Sequence, residues 1–222
     1  MRLVDLTSTW SILAHVLAAS TTHNPDESTS SDVLKLILDI LLAIIRLRRD
    51  LVQHTLPLLV VILRRLIFLT RSPRPALGSK QLSIVRDTMP AWFHSFHHPK
   101  LLSRVLEALT MKTVPVILSS ATKGMVHQKA QSLARPLTKH AFSILSAYID
   151  VLTDPLAVVP RQMRTDLESG IFAVCSIMGD WERKAGMASL GSGKKSQADD
   201  AKKALFKALW ADYEKQHYVG LG

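Results

Sequence analysis

Two apolar runs near the N-terminus, residues 33–45 and 51–69, constrain the fold of this chain more than any other feature. The first carries only Lys35 and Asp39 among its aliphatic residues; the second contains Pro57 and is split by Arg64 and Arg65. Neither supplies the roughly 18 uncharged apolar residues that a membrane span needs. Both are too apolar for a helix with one solvated face, so each has to be covered on more than one side. Helices stacked on other helices meet that demand, which predicts an all-α protein. The 9 glycines in 222 residues agree, because sheet proteins with many tight turns usually need more.

Helical spacing of apolar residues extends the reading along the chain. Leu3, Leu6, Trp10, Leu13, Ala14 and Leu17 predict a first helix over 3–19. The polar stretch 20–31, with Pro25, is expected to be a loop. Ser31 or Asp32 is placed to cap a second helix that runs to about Arg49. A third helix is predicted from Thr55 to Thr70, with Pro57 in its first turn, where the missing amide hydrogen costs nothing. Residues 71–79 contain two prolines and a glycine and read as a loop. A fourth helix starts near Lys80 and is bent or ended by Pro90; a fifth covers Lys100 to Thr110. Residues 111–130 have no clear period and are read as a loop or one more short helix. A sixth helix covers Pro136 to Leu152 and stops at Asp154-Pro155. Pro160 opens a seventh that runs to about Met178. Residues 179–197, rich in Gly, Ser and Lys, are expected to form a mobile surface loop before a last helix over Asp199 to Tyr218.

The predicted fold is therefore all-α, with seven to eight helices in an α-solenoid of the armadillo or HEAT kind or in an irregular helical bundle. Residues 1–130 form a helical-repeat segment. Residues 131–222 form a C-terminal helical domain packed on it as one continuous module.

No catalytic pattern assembles. Gly191 to Ser196 has the look of a phosphate-binding loop, but such a loop requires glycine where Ala188 stands and Ser or Thr where Lys195 stands. His94 and His98 would share a helix face, yet no cysteine lies nearby to complete a metal set, and the cluster with His97 reads as a polar helix end. Asp39 and Asp150 lie in apolar surroundings and read as solvent-edge or ion-paired acids. Cys175 is the single cysteine. Within Ile171 to Cys175 it reads as a buried small hydrophobe rather than a nucleophile. No catalytic residue, cofactor, metal or small-molecule substrate is expected.

Charge and aromatic pattern point to contact instead. The formal net charge is +10, which suits an RNA-rich setting or an acidic partner, or merely a basic surface. Arg46, Arg48 and Arg49 gather where the second helix ends, and cations there complement the helix dipole. Contact with RNA or an acidic partner is the other reading of these three and of Lys194 and Lys195. In the last helix Leu205, Phe206, Leu209, Trp210 and Tyr213 form one stripe, with Lys202, Lys203, Lys207, Asp212, Glu214 and Lys215 elsewhere on its surface. The stripe reads as a core-facing edge that docks the helix. Its alternative is a hot-spot surface for a partner.

Three pieces in the C-terminal half stand in a suggestive order. They are Lys139-His140-Ala141 with Leu145, Tyr148 and Ile149; Leu167 through Ser176 (LESGIFAVCS); and Ala204 through Tyr213 (ALFKALWADY). From Ser132 to the end the chain resembles the C-terminal domain of the nucleolar 27S pre-rRNA processing protein family, large helical-repeat factors of early 60S ribosomal subunit assembly. The last piece is similar to the family's closing helix, apolar-Phe-Lys-x-Leu-aromatic-x-Asp-Tyr, with Trp210 where Tyr is more frequent. The Gly- and Lys-rich loop before it is longer than the family's. The resemblance implies a scaffold in the nucleus and nucleolus, without catalysis. It implies action with another large helical-repeat assembly factor, with a DEAD-box helicase and on pre-rRNA, and it leads us to expect a C-terminal part of a longer protein. Two other classes stay open: a helical repeat that binds pre-rRNA directly, and a membrane-associated helical protein suggested by residues 33–69. Solubility without detergent would remove the second.

Overall fold

The structure is a computed structural model that describes residues 2–19, 27–73, 98–111, 132–190 and 197–219. Helices form at α1 Leu3–Ala19, α2 Glu27–Leu47, α3 Arg49–Val52, α4 Leu56–Phe68, α5 Pro99–Thr110, α6 Ala134–Leu152, α7 Arg161–Ser176, α8 Asp180–Ser189 and α9 Gln197–Val219. Neighbour relations run along two rows. In one, α1 packs on α4 and α4 on α6; in the other, α2 packs on α5 and α5 on α7. Helix α6 also touches α5 and α7 across the rows, α8 packs on α6, and α9 lies against α6 and α7. The chain is all-α, and its two-row stack fits an α-solenoid as well as an irregular helical bundle.

Burial follows position in the stack. Helix α1, at the edge of its row, buries one stripe, Leu6, Trp10, Leu13 and Leu17, and leaves Val4 and Ile12 exposed. Helix α4, held between α1 and α6, buries Leu56, Leu59, Val60, Ile62, Leu63, Leu66 and Ile67. Its wide apolar surface is the one that the run 51–69 required. Asp39 is exposed on α2, as expected of a solvent-edge acid. Among the described residues no helix is long and apolar enough to cross a membrane.

Several polar groups inside the stack are paired across elements. The Trp10 indole donates to Thr55 Oγ1 at 2.8 Å, just before α4. Arg49, only 8 % exposed, turns its guanidinium onto the last turn of α5, donating to the carbonyls of Ala108 at 3.0 Å and of Met111. Arg65 Nε donates to Leu17 O near the end of α1 at 3.4 Å. Each arginine thus satisfies carbonyls that a helix leaves unpaired at its C-terminus, and opposes the negative end of the dipole. Within the second row, α5 and α7 come unusually close. The Gly170 amide donates to Ser103 Oγ at 2.8 Å, and a Cβ placed on Gly170 would lie 2.7 Å from Ser103 Cα.

Several boundaries differ from the sequence reading. Helix α2 starts at Glu27, inside the stretch 20–31 expected to be a loop. Once the buried run nucleates a helix, extending it backward through polar residues costs little. It stops at Leu47 rather than Arg49, because Arg48 leaves the helix at φ −133°, ψ 45° and the short α3 then carries Arg49 to α5. The predicted loop 71–79 contains a two-residue strand, β1 Ser72–Pro73, paired antiparallel with β2 Ala157–Val158. An ion pair of Arg71 with Asp154, 2.7 Å, holds the two segments together, and Pro73, which lacks a donor, tolerates so short a ladder. The expected mobile loop 179–197 is helical over Asp180–Ser189. The proposed helix near Lys80, Pro90, His94 and His97, and nearly all of 111–130, lie outside the described residues.

Candidate partner-binding surface

Helix α9 carries the aromatic stripe, and its spacing sets what each ring meets. Phe206, 1 % exposed, packs edge-on against Phe142 of α6 with centroids 6.0 Å apart. Trp210 follows one turn later, 6.3 Å from Phe206 and 5.4 Å from Tyr213. Tyr213 reaches Phe172 of α7 at 5.9 Å. Leu209 is partly buried against the core. The rings form a ladder from α6 to α7, with edge-to-face and tilted contacts that aromatic quadrupoles favour. Polar contacts tie both ends of the helix. Lys202 pairs with Asp150 of α6 at 2.7 Å, which makes Asp150 the ion-paired acid that its sequence context suggested. Gln216 donates to Glu168 of α7 at 3.2 Å.

Helix α8 supplies the other wall. Its first turn carries Asp180 and Glu182, which suit the positive end of the dipole. Gly186 faces Phe142, whose ring occupies the space a Cβ would need. Arg183 spans the gap to α9: its guanidinium lies 5.2 Å above the Trp210 ring and pairs with Glu214 at 3.3 Å. The Trp210 indole donates to the same Glu214 carboxylate at 2.7 Å. Trp181, in the first turn of α8, is 76 % exposed.

Grooves flank α9 on two sides. One, of about 320 Å³, opens between α6, α7 and α9 and is lined by Tyr148, Arg161, Arg164, Glu168, Leu209 and Asp212. The other, of about 260 Å³, opens between α8 and α9 over Met187, Phe206 and Trp210, with Lys184 and Lys207 beside it. Of the residues singled out in the sequence, Phe206, Leu209, Trp210 and Tyr213 come together here. The basic residues do not. Arg46 is exposed in the last turn of α2, Arg48 pairs with Asp50 at 3.1 Å, and Arg49 is turned into the stack. Lys194 and Lys195 lie outside the described residues. The α8 contribution, Trp181, Arg183, Lys184 and Met187, lies in the segment 179–197, whose Gly, Ser and Lys content reads as a loop.

Burial holds the Cys175 thiol in its unreactive, protonated form. Burial pushes the Cys175 thiol and the Tyr148 phenol each up to about 12, from ordinary values of 9.0 and 10.0. Both groups are neutral when protonated, so the folded chain holds these protons more tightly than the unfolded chain. The stability they contribute is full below about pH 9 and is lost as pH rises toward 12. Urea unfolding at pH 8 and pH 11 is expected to show a loss on the order of 2–4 kcal/mol. Equal stability at the two pH values would contradict the burial of both groups. Among the described residues no three His, Cys, Asp or Glu side chains are placed to hold a metal ion.

The sequence signature of the Urb2/Npa2 family matches residues 1–221, well beyond the stretch from Ser132 in which the resemblance was read. No curated protein and no solved structure matches the chain significantly.

Proposed function

The chain belongs to the Urb2/Npa2 family, the nucleolar 27S pre-rRNA processing family, which gives it a role in ribosome biogenesis, and from that premise we propose that it is a non-catalytic scaffold of early pre-60S particles. It binds a second large helical-repeat assembly factor there, in the nucleolus, within reach of a DEAD-box helicase and pre-rRNA. The observation that carries this reading is the surface around α9. Buried Phe206 anchors the helix, while Trp210 in the groove floor and Trp181, 76 % exposed, stay within reach of another chain. Accessible tryptophan on a packed apolar surface is typical of protein interfaces, where a few aromatic residues carry most of the binding energy.

The test is recovery from nucleolar extract after nuclease treatment. A large helical-repeat factor is expected to remain bound, and its affinity is expected to fall only moderately with salt, because the contact is partly apolar. A chain held chiefly by several phosphates would instead lose roughly a thousandfold in affinity between about 50 and 200 mM salt. Loss of every specific protein after nuclease, together with tight RNA binding by the purified chain, would replace the scaffold reading with direct pre-rRNA binding.

A further inference from the structure

The groove between α8 and α9 has a charge pattern that specifies more than apolar contact. Its floor is Met187, Phe206 and Trp210. Lys184 on α8 and Lys207 on α9 are both exposed beside it. Among the described residues neither lysine has a carboxylate partner. Two nearby carboxylates are already engaged: Asp180 pairs with Arg183 at 3.0 Å, and Glu214 pairs with the same Arg183 at 3.3 Å and accepts from the Trp210 indole. One arginine therefore serves two acids, and two cations on opposite sides of an apolar floor are left to the solvent.

We propose that this groove docks an acidic amphipathic segment of a protein partner. A large apolar side chain of the segment enters over Met187, Phe206 and Trp210, and flanking carboxylates meet Lys184 and Lys207. The inference rests on the scaffold reading and names the chemistry of that scaffold's partner. A polynucleotide suits the groove less well. Base stacking needs a free aromatic face, and Arg183 lies 5.2 Å above the Trp210 ring. An acidic amphipathic segment needs no free ring face, and Trp181, one helical turn before Lys184, extends the apolar edge it would lie on.

The experiment places a photo-cross-linking phenylalanine derivative at position 211, where Ala211 lines the groove, in the full chain. Pre-ribosomal particles are purified after nuclease treatment, irradiated, and the cross-linked segment is sequenced by mass spectrometry. The expected product is a protein segment with a large apolar residue flanked by several Asp or Glu. A second variant adds Lys184→Glu and Lys207→Glu, exposed positions at which charge reversal should leave melting nearly unchanged. Its cross-link yield is expected to fall at least about tenfold, as loss of charge complementarity predicts. A cross-link to RNA, to a segment without carboxylates, or one insensitive to the charge reversal overturns the proposal. So does the absence of any cross-link in particles that still contain the chain, an outcome that leaves the scaffold reading intact. Failure of the unsubstituted chain to co-purify overturns both.

Discussion

Replacing Gly170 with valine is expected to cost about 3 kcal/mol or more and to lower the melting temperature by roughly 6–12 °C. The cause is the close crossing of α5 and α7. A Cβ at this position would lie 2.7 Å from Ser103 Cα and 2.8 Å from the Ser103 carbonyl oxygen. Those are backbone atoms, so no rotamer change removes the collision; one helix has to move. Moving it also breaks the hydrogen bond from the Gly170 amide to Ser103 Oγ, and an unsatisfied buried polar group costs a further 1–3 kcal/mol, roughly. The same reasoning predicts that Ser103→Ala will not rescue the variant. Gly186 is the contrasting case. There a Cβ would meet the Phe142 ring, a side chain, so Gly186→Ala is expected to be partly rescued by Phe142→Ala. Melting followed by circular dichroism tests both. Wild-type stability for Gly170→Val, or its rescue by Ser103→Ala, would show that the helices do not cross as described.

Truncating Phe206 to alanine is expected to destabilise the chain by roughly 3–5 kcal/mol, the usual cost of emptying a buried aromatic site. Phe206 is 1 % exposed and touches the rings of Phe142 and Trp210. Its loss removes the buried ring contact through which α9 holds α6, leaving partly buried residues such as Leu209, the Tyr213–Phe172 contact and polar links such as Lys202–Asp150 and Gln216–Glu168. Partial exposure of Asp150 and Lys202 makes their ion pair a weak substitute. A double-mutant cycle with Phe142→Ala should show coupling of about 0.5–1.5 kcal/mol, as edge-to-face ring pairs do. Unchanged melting with lost partner binding would mean that the ring serves an interface and not the fold.

The stripe on α9 was legible because its period is local: residues at positions 206, 209, 210 and 213 share a face in any helix. Which rings lie inside and which lie at an edge was not legible. Phe206 and Trp210 are one turn apart, yet only Phe206 is fully buried, because Phe142 comes from a helix more than fifty residues earlier. The basic residues depend equally on what the backbone does between them. Arg46, Arg48 and Arg49 are neighbours in sequence, but the break at Arg48 sends Arg49 to the end of α5 and leaves Arg48 with Asp50. Adjacency along the chain says nothing about a shared patch once the backbone turns between the residues.

By itself the sequence determined that the chain is helical and where most helices lie. The predicted spans for α1, α4, α5, α6 and α7 fall within about two residues of those observed, since apolar periodicity and proline act on each segment alone. Tertiary structure decided the rest. Residues 180–189 carry two acids, a solvent-facing Trp181 and Gly186, too little apolar surface to predict a helix. They become one because Phe142 fills the place beside Gly186 and Arg183 bridges to Glu214 on α9. The pairing of Ser72–Pro73 with Ala157–Val158 likewise depends on residues some eighty positions apart. A short segment cannot repay the entropy of ordering from its own contacts. The neighbours that repay it are specified only when the stack forms.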